Sequence, residues 1–126
     1  MKQTVEPYDI QLIDFEYGGC NYVGFDIANH LNEWAGGTDD GKPDYSKAPT
    51  LDQQKTFIEA YVLTAKETSM EQDELLKEVQ AFLLVNHFYW GLWAVNQASA
   101  EGCEDFDYLL YASNRFGQYR KEMSSR

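Results

Sequence analysis

Residues 82–95 read FLLVNHFYWGLWAV, and their pattern decides the fold class. Wound as a helix they are apolar on nearly every side, the signature of a segment enclosed by other elements rather than laid on a surface. The residues before them carry an ordinary single stripe of Leu75, Leu76, Val79, Phe82 and Leu83. One long helix is therefore predicted, amphipathic at its start and enclosed towards its end. SMEQ, Ser69 to Gln72, supplies a capping-box start, and AEGCED breaks the chain after it. Gly91 lies between Trp90 and Trp93; a glycine inside a helix costs stability, so its place points to close packing or access.

Working outward, TLDQ gives a second capping box, with Thr50 as cap and Gln53 reaching back, and Phe57, Ile58, Tyr61, Val62 and Ala65 form the apolar face of the helix it opens. An earlier helix is predicted from about Asp26, its N-cap, to Ala35, with Ile27, Leu31 and Trp34 on one stripe and Gly36-Gly37 at its end. A last helix runs from about Phe106 to Arg120 with Leu109, Leu110 and Phe116 inward. At the other end, Tyr8 to Glu16 alternates like a short strand buried on both sides, followed by a loop over Tyr17 to Gly24. A lone strand cannot satisfy its own backbone groups. Its partner is the stretch before Pro7, in a hairpin, or lies outside these residues. The chain is thus expected to be mainly α, one unit over residues 1–126 with a short strand or hairpin at its N-terminus.

Composition narrows the functions. A chain of 126 residues that is 44% hydrophobic and 15% aromatic has material for one core. A formal net charge of −11 opposes binding to nucleic acid and to anionic membranes and favours a cationic ligand. No apolar run reaches the roughly 18 residues of a membrane span, and the start has no signal-peptide core, so a cytoplasmic setting is expected. Cys20 and Cys103 have no metal-binding spacing and read as reduced thiols.

Three groups could carry chemistry. Asp14, in Asp-Phe-Glu, ends the expected strand and reads either as a turn acid or as a Mg²⁺ ligand, since Mg²⁺ needs one or two carboxylates beside substrate phosphates. Trp90 and Trp93, three apart, share one helix face, and Phe106, Tyr108 and Tyr111 follow beyond the next turn; these aromatics are either core or the wall of an ammonium site. Glu33 is an exposed helical acid or a counter-charge to such a cation. His30 and His87 lie in apolar helix patterns and read as core histidines rather than ligands.

The segments LIDFEYGGCNYVGFDIANHLNEW (residues 12–34), NHFYWGLWAVNQ (86–97) and DFDYLLYASNRFGQY (105–119) together resemble the carboxyl-terminal half of the choline and ethanolamine kinases, over about residues 8 to 121. The resemblance implies a helical large-lobe segment of a protein-kinase-like fold and transfer of the γ-phosphoryl of ATP to choline or ethanolamine, in phospholipid synthesis. It makes Asp14 a ligand of the Mg²⁺ bridging the nucleotide phosphates. It also makes Tyr17, Glu33, Trp90, Trp93, Phe106 and Tyr111 the walls of the ammonium pocket. Positioning and charge neutralisation are what phosphoryl transfer requires.

The family's catalytic loop, H-N-D-x-x-x-x-N, and its Gly-rich phosphate loop do not occur in this sequence. No catalytic base is therefore assigned within it, and these residues alone are expected to be inactive, with ATP held through the missing nucleotide lobe. Choline kinases commonly carry a further tyrosine soon after the Glu-Trp pair; here NEWAGGTDDG follows the ethanolamine-kinase pattern. The alternative is a noncatalytic helical module that binds an ammonium or a protein. An isolated kinase segment should expose apolar surface and form homodimers or aggregates.

Overall fold

The computed structural model describes residues 11–65 and 70–126. Four helices follow in order: α1 (Val23–Asn32), α2 (Leu51–Thr64), α3 (Gln72–Glu101) and α4 (Tyr108–Ser124), with single 3₁₀ turns at Glu33–Ala35 and Tyr45–Lys47. The four helices predicted from the periodicities are present. Among the described residues there is no strand. Tyr8 to Ile10 and the hairpin partner expected before Pro7 lie outside them, while Leu12, Ile13 and Phe15 are 78%, 80% and 70% exposed on a segment that forms no ladder with any described residue. The alternation is real, but Asp14 at φ 67° interrupts any extended run, and with Leu12, Ile13 and Phe15 exposed neither face is buried.

α3 is the spine. At 1.5 Å per residue its 30 residues extend about 45 Å, long enough to serve two cores in turn. Its first half packs Leu75 and Val79 against Ile27, Ala28 and Leu31 of α1 and Ile58 of α2. Its second half packs Ala94 against Tyr111 and Ala112 of α4, with Trp90, Trp93, Phe106, Tyr108 and Phe116 around them. Gly91 explains itself here. A Cβ at that position would overlap the Phe116 ring, so α4 approaches α3 where the side chain is missing.

Several expectations are corrected. α3 is not enclosed all round: Val85, Phe88, Tyr89, Leu92 and Val95 are each more than two-fifths exposed. α1 begins at Val23 after Tyr22, so Asp26 sits in its first turn instead of capping it. Ser69 lies outside the described residues, and α3 starts after Glu71 with no side-chain cap. The Thr50–Gln53 capping box of α2 forms as predicted, in both directions. On α4 Phe116 packs inward as expected, but the buried residues are Tyr111, Ala112 and Arg115, and Leu109 is 56% exposed. His30 is exposed and stacks on Phe57 with ring centroids 5.2 Å apart.

His87 is buried as predicted, with Nε2 3.2 Å from the Glu122 carboxylate on α4. Burial of Glu122 would raise its pKa, but the hydrogen bond and charge of His87, with help from Gln118 and Arg126, hold it below its ordinary 4.5. A carboxyl with a depressed folded pKa stabilises the fold above its unfolded pKa and loses that contribution as pH falls through the folded value. Denaturant melts should therefore show wild type more stable than Glu122→Gln near pH 7. The gap should close as pH falls below 4.5. A gap independent of pH would contradict the assignment.

Candidate functional site

The α1 stripe that buries Ile27 and Leu31 leaves the next face free, and Asn29 and Glu33, four apart, stand one turn above each other on it. Opposite them, Trp90 and Trp93 project from α3. The loop after Glu101 is turned by Gly102 and restarted by Asp107, whose carboxylate accepts from the Leu110 amide at 3.0 Å and caps α4. That turn carries Phe106, Tyr108 and Tyr111 back over the tryptophans. Gly36 and Gly37, at φ 65° and 95°, reverse the chain after Ala35 and bring Thr38 to the rim. The amide of Asn114 holds the following turn by donating to the Gly41 carbonyl at 2.8 Å.

These elements enclose a cavity of about 380 Å³ lined by Asn29, Glu33, Thr38, Trp90, Trp93, Phe106, Tyr108 and Tyr111. Its size suits a small molecule. The walls are a connected set of edge-to-face aromatics: Trp90 to Trp93 at 5.2 Å, Trp93 to Tyr108 at 5.7 Å, and Phe106 to Tyr108 at 4.9 Å between centroids. Both indole N–H groups are occupied within the protein. Trp90 Nε1 donates to Asn29 Oδ1 at 2.6 Å and Trp93 Nε1 to Tyr17 Oη at 3.0 Å. The tryptophans can therefore offer a ligand their π faces and not a donor, which is the surface a cation prefers.

Charge agrees with this. The Glu33 carboxylate is the one acid among the lining residues. Burial raises the Tyr111 pKa, against the Arg115 guanidinium, and Glu33 adds to the rise, so the phenol stays protonated. Tyr108 donates to Glu101 at 2.9 Å, the main cause of its own raised pKa.

Of the residues singled out in the sequence, Glu33, Trp90, Trp93, Phe106 and Tyr111 meet at this cavity. Tyr17 covers the tryptophans, its ring 6.0 Å from that of Trp90, without lining the cavity itself. Tyr108, grouped in the sequence with these aromatics but not among the residues the resemblance assigns to the pocket, lines it as well, and Asn29 and Thr38 join it without having been singled out. Asn29 could have been found from its spacing of four from Glu33; Thr38 carries no local signal. Asp14 stands apart, exposed, at φ 67°, the left-handed region that aspartate tolerates better than most residues. No group of three or more His, Cys, Asp or Glu able to hold a metal gathers among the described residues. Asp14 can supply one carboxylate to a Mg²⁺, but the described residues do not complete a site around it.

Comparison with known proteins bears on the same residues. The sequence model of the family described as choline/ethanolamine kinase matches residues 3–120. The chain is 44% identical over 121 residues to ethanolamine kinase 1 of Homo sapiens, covering 90% of this chain and 26% of that protein. It is 42% identical over 120 residues to a probable ethanolamine kinase of Arabidopsis thaliana, covering 93% and 31% respectively. It is 41% identical over 123 residues to the choline/ethanolamine kinase of Homo sapiens, covering 87% and 31%. The chain thus spans between a quarter and a third of the length of these relatives. With a family match running from before α1 to within α4, through every wall of the aromatic cavity, the chain belongs to the choline/ethanolamine kinase family.

Proposed function

We propose that residues 1–126 form the substrate-pocket part of a choline/ethanolamine kinase, holding the ammonium group of the alcohol whose hydroxyl receives the γ-phosphoryl of ATP. One observation carries the reading: both pocket indoles have their N–H groups tied off, so the cavity offers ring faces and the Glu33 carboxylate. In the complete enzyme Asp14 is the carboxylate this segment lends to the Mg²⁺ on the nucleotide phosphates. That ion neutralises charge on the transferring group. The acid that orients the substrate hydroxyl comes from outside these residues, and the chain alone transfers no phosphoryl group. Two unpaired cysteines suit a reducing, cytoplasmic setting.

Ethanolamine is the favoured substrate. The stretch that departs from the choline-kinase pattern, NEWAGGTDDG, places Thr38 on the cavity beside Glu33. A primary ammonium has three N–H groups to donate to such oxygens and choline has none. Titration of the full chain with ethanolamine and with choline, followed by tryptophan fluorescence, tests both points. Ethanolamine should bind the more tightly, and Glu33→Gln should weaken it about tenfold, the typical loss for one charge-assisted contact. Binding of neither amine would refute the pocket, preference for choline would refute the choice of substrate, and ATP turnover by the pure chain would refute its incompleteness.

A further inference from the structure

We infer that Asn29 is a positioning residue for Trp90, and that buried Arg115 acts through Asn86 and Asn29 to fix the plane of that indole. The proposal rests on the reading of the cavity as an ammonium pocket. It concerns Asn29, at the lining of the cavity, and Asn86 and Arg115 buried behind it.

Arg115 is 1% exposed and Asn86 fully buried. Arg115 Nη2 donates to Asn86 Oδ1 at 2.8 Å, and Asn32 Nδ2 donates to the same oxygen at 2.9 Å. Asn86 Nδ2 then donates to Asn29 Oδ1 at 2.8 Å, the oxygen that also accepts from Trp90 Nε1. Each amide oxygen has two lone pairs and each receives two donors, so neither has capacity to spare.

The polarity of this chain is forced from both ends. A guanidinium and an indole N–H can only donate. Turning the Asn86 amide over would set its NH₂ against Arg115 and Asn32; turning Asn29 would set its NH₂ against Trp90 and Asn86. Either flip sets donor against donor, and at fully buried Asn86 no water can repair the loss. One arrangement of the two amides therefore survives, and it holds the Trp90 indole from behind. The same guanidinium lies 5.8 Å from the centroid of the Tyr111 ring, so one buried cation braces a wall on α3 and a wall on α4. Its charge faces amide oxygens and an aromatic ring instead of the ligand, which keeps the pocket free for another cation.

Two variants separate positioning from simple packing. Asn29→Ala removes the acceptor of Trp90. Asn86→Asp keeps an oxygen for Arg115 and gives it a carboxylate partner, so the core stays paired. The new carboxylate, however, must accept from Asn29, whose amide turns over and presents NH₂ to Trp90. In a ¹⁵N–¹H spectrum of the full chain, the indole resonance of Trp90, assigned with Trp90→Phe, should move in both variants while that of Trp93, held by Tyr17, stays in place.

Ethanolamine affinity should fall about tenfold in each, the usual effect of losing one buried hydrogen bond. In a Trp90→Phe background, with no indole N–H to hold, Asn29→Ala should change affinity by less than about twofold. A folded Asn86→Asp chain whose Trp90 resonance matches wild type would overturn the proposal. So would an Asn29→Ala loss of equal size with and without the indole. The resonances are read without ligand, so failure of the wild-type chain to bind an amine would refute the pocket reading and leave the relay to be judged on the spectra.

Discussion

Trp93→Ala should abolish useful affinity for an ammonium ligand, lowering it at least about 30-fold, the equivalent of a desolvated cation–π contact of about 2 kcal/mol. Trp93 is the residue on which the pocket converges. Its ring meets Trp90 at 5.2 Å, Tyr108 at 5.7 Å and Tyr111 at 6.4 Å, and its N–H holds Tyr17. Removing it takes away one π face and the support for two others, so the loss should exceed that for Phe106→Ala, whose ring meets Tyr108 and Tyr111 from the side of the loop. The same substitution frees Tyr17 of its hydrogen-bond partner on α3. Limited proteolysis over residues 11–22 should accelerate in Trp93→Ala and not in Phe106→Ala. Isothermal titration with ethanolamine reads the first effect and the cleavage time course the second. A Trp93→Ala chain binding within about threefold of wild type would mean that the cavity is core packing and not a ligand site.

The helices were legible from their apolar periodicity and, in places, their punctuation. Thr50 and Gln53 close a capping box, Gly36 and Gly37 stop the first helix, and the long apolar run of α3 needs length no strand has. The aromatic residues could be picked out from the spacing of Trp90 and Trp93, which left core and cavity wall open; the resemblance to the kinase family is what assigned them to a pocket. What escaped reading depends on partners a linear pattern does not contain. Residues 11–15 alternate as a strand would, yet alternation only becomes a strand when a neighbour supplies the ladder. On α4, an inward stripe of Tyr108, Tyr111, Ala112 and Arg115 follows the helical period closely, but an arginine is counted as surface by any hydropathy reading. Its burial makes sense only once Asn86, 29 residues earlier, is seen to receive it. The spacing of Asn29 from Glu33 could place it on the pocket face, but its hydrogen bonds, to residues 57 and 61 positions away, could not be read from the sequence.

The largest expected loss of stability is that of Leu31→Ala. Leu31 is fully buried between Ile58 of α2 and Leu75 and Val79 of α3, in the core that seats α1. Truncating such a leucine removes transfer free energy and leaves a cavity, at a cost of about 3 kcal/mol, within the usual range of about 2–5. Against a total of roughly 5–15 kcal/mol for a domain, that is enough to leave a measurable unfolded fraction in mild denaturant. Leu31→Met, which conserves volume, should cost less than about 1.5 kcal/mol. The consequence reaches the site because Leu31 lies two residues from Asn29 and two from Glu33 on the same run of chain. Any loosening of α1 moves both polar groups away from the tryptophans together. Urea melts should place the two variants in that order. Under conditions where Leu31→Ala is still folded, its ethanolamine affinity should fall several-fold while that of Leu31→Met stays near wild type. Equal affinities at unequal stabilities would show that α1 holds its pocket face by the Asn29, Asn32 and Asn86 hydrogen bonds alone, without the apolar core beneath it.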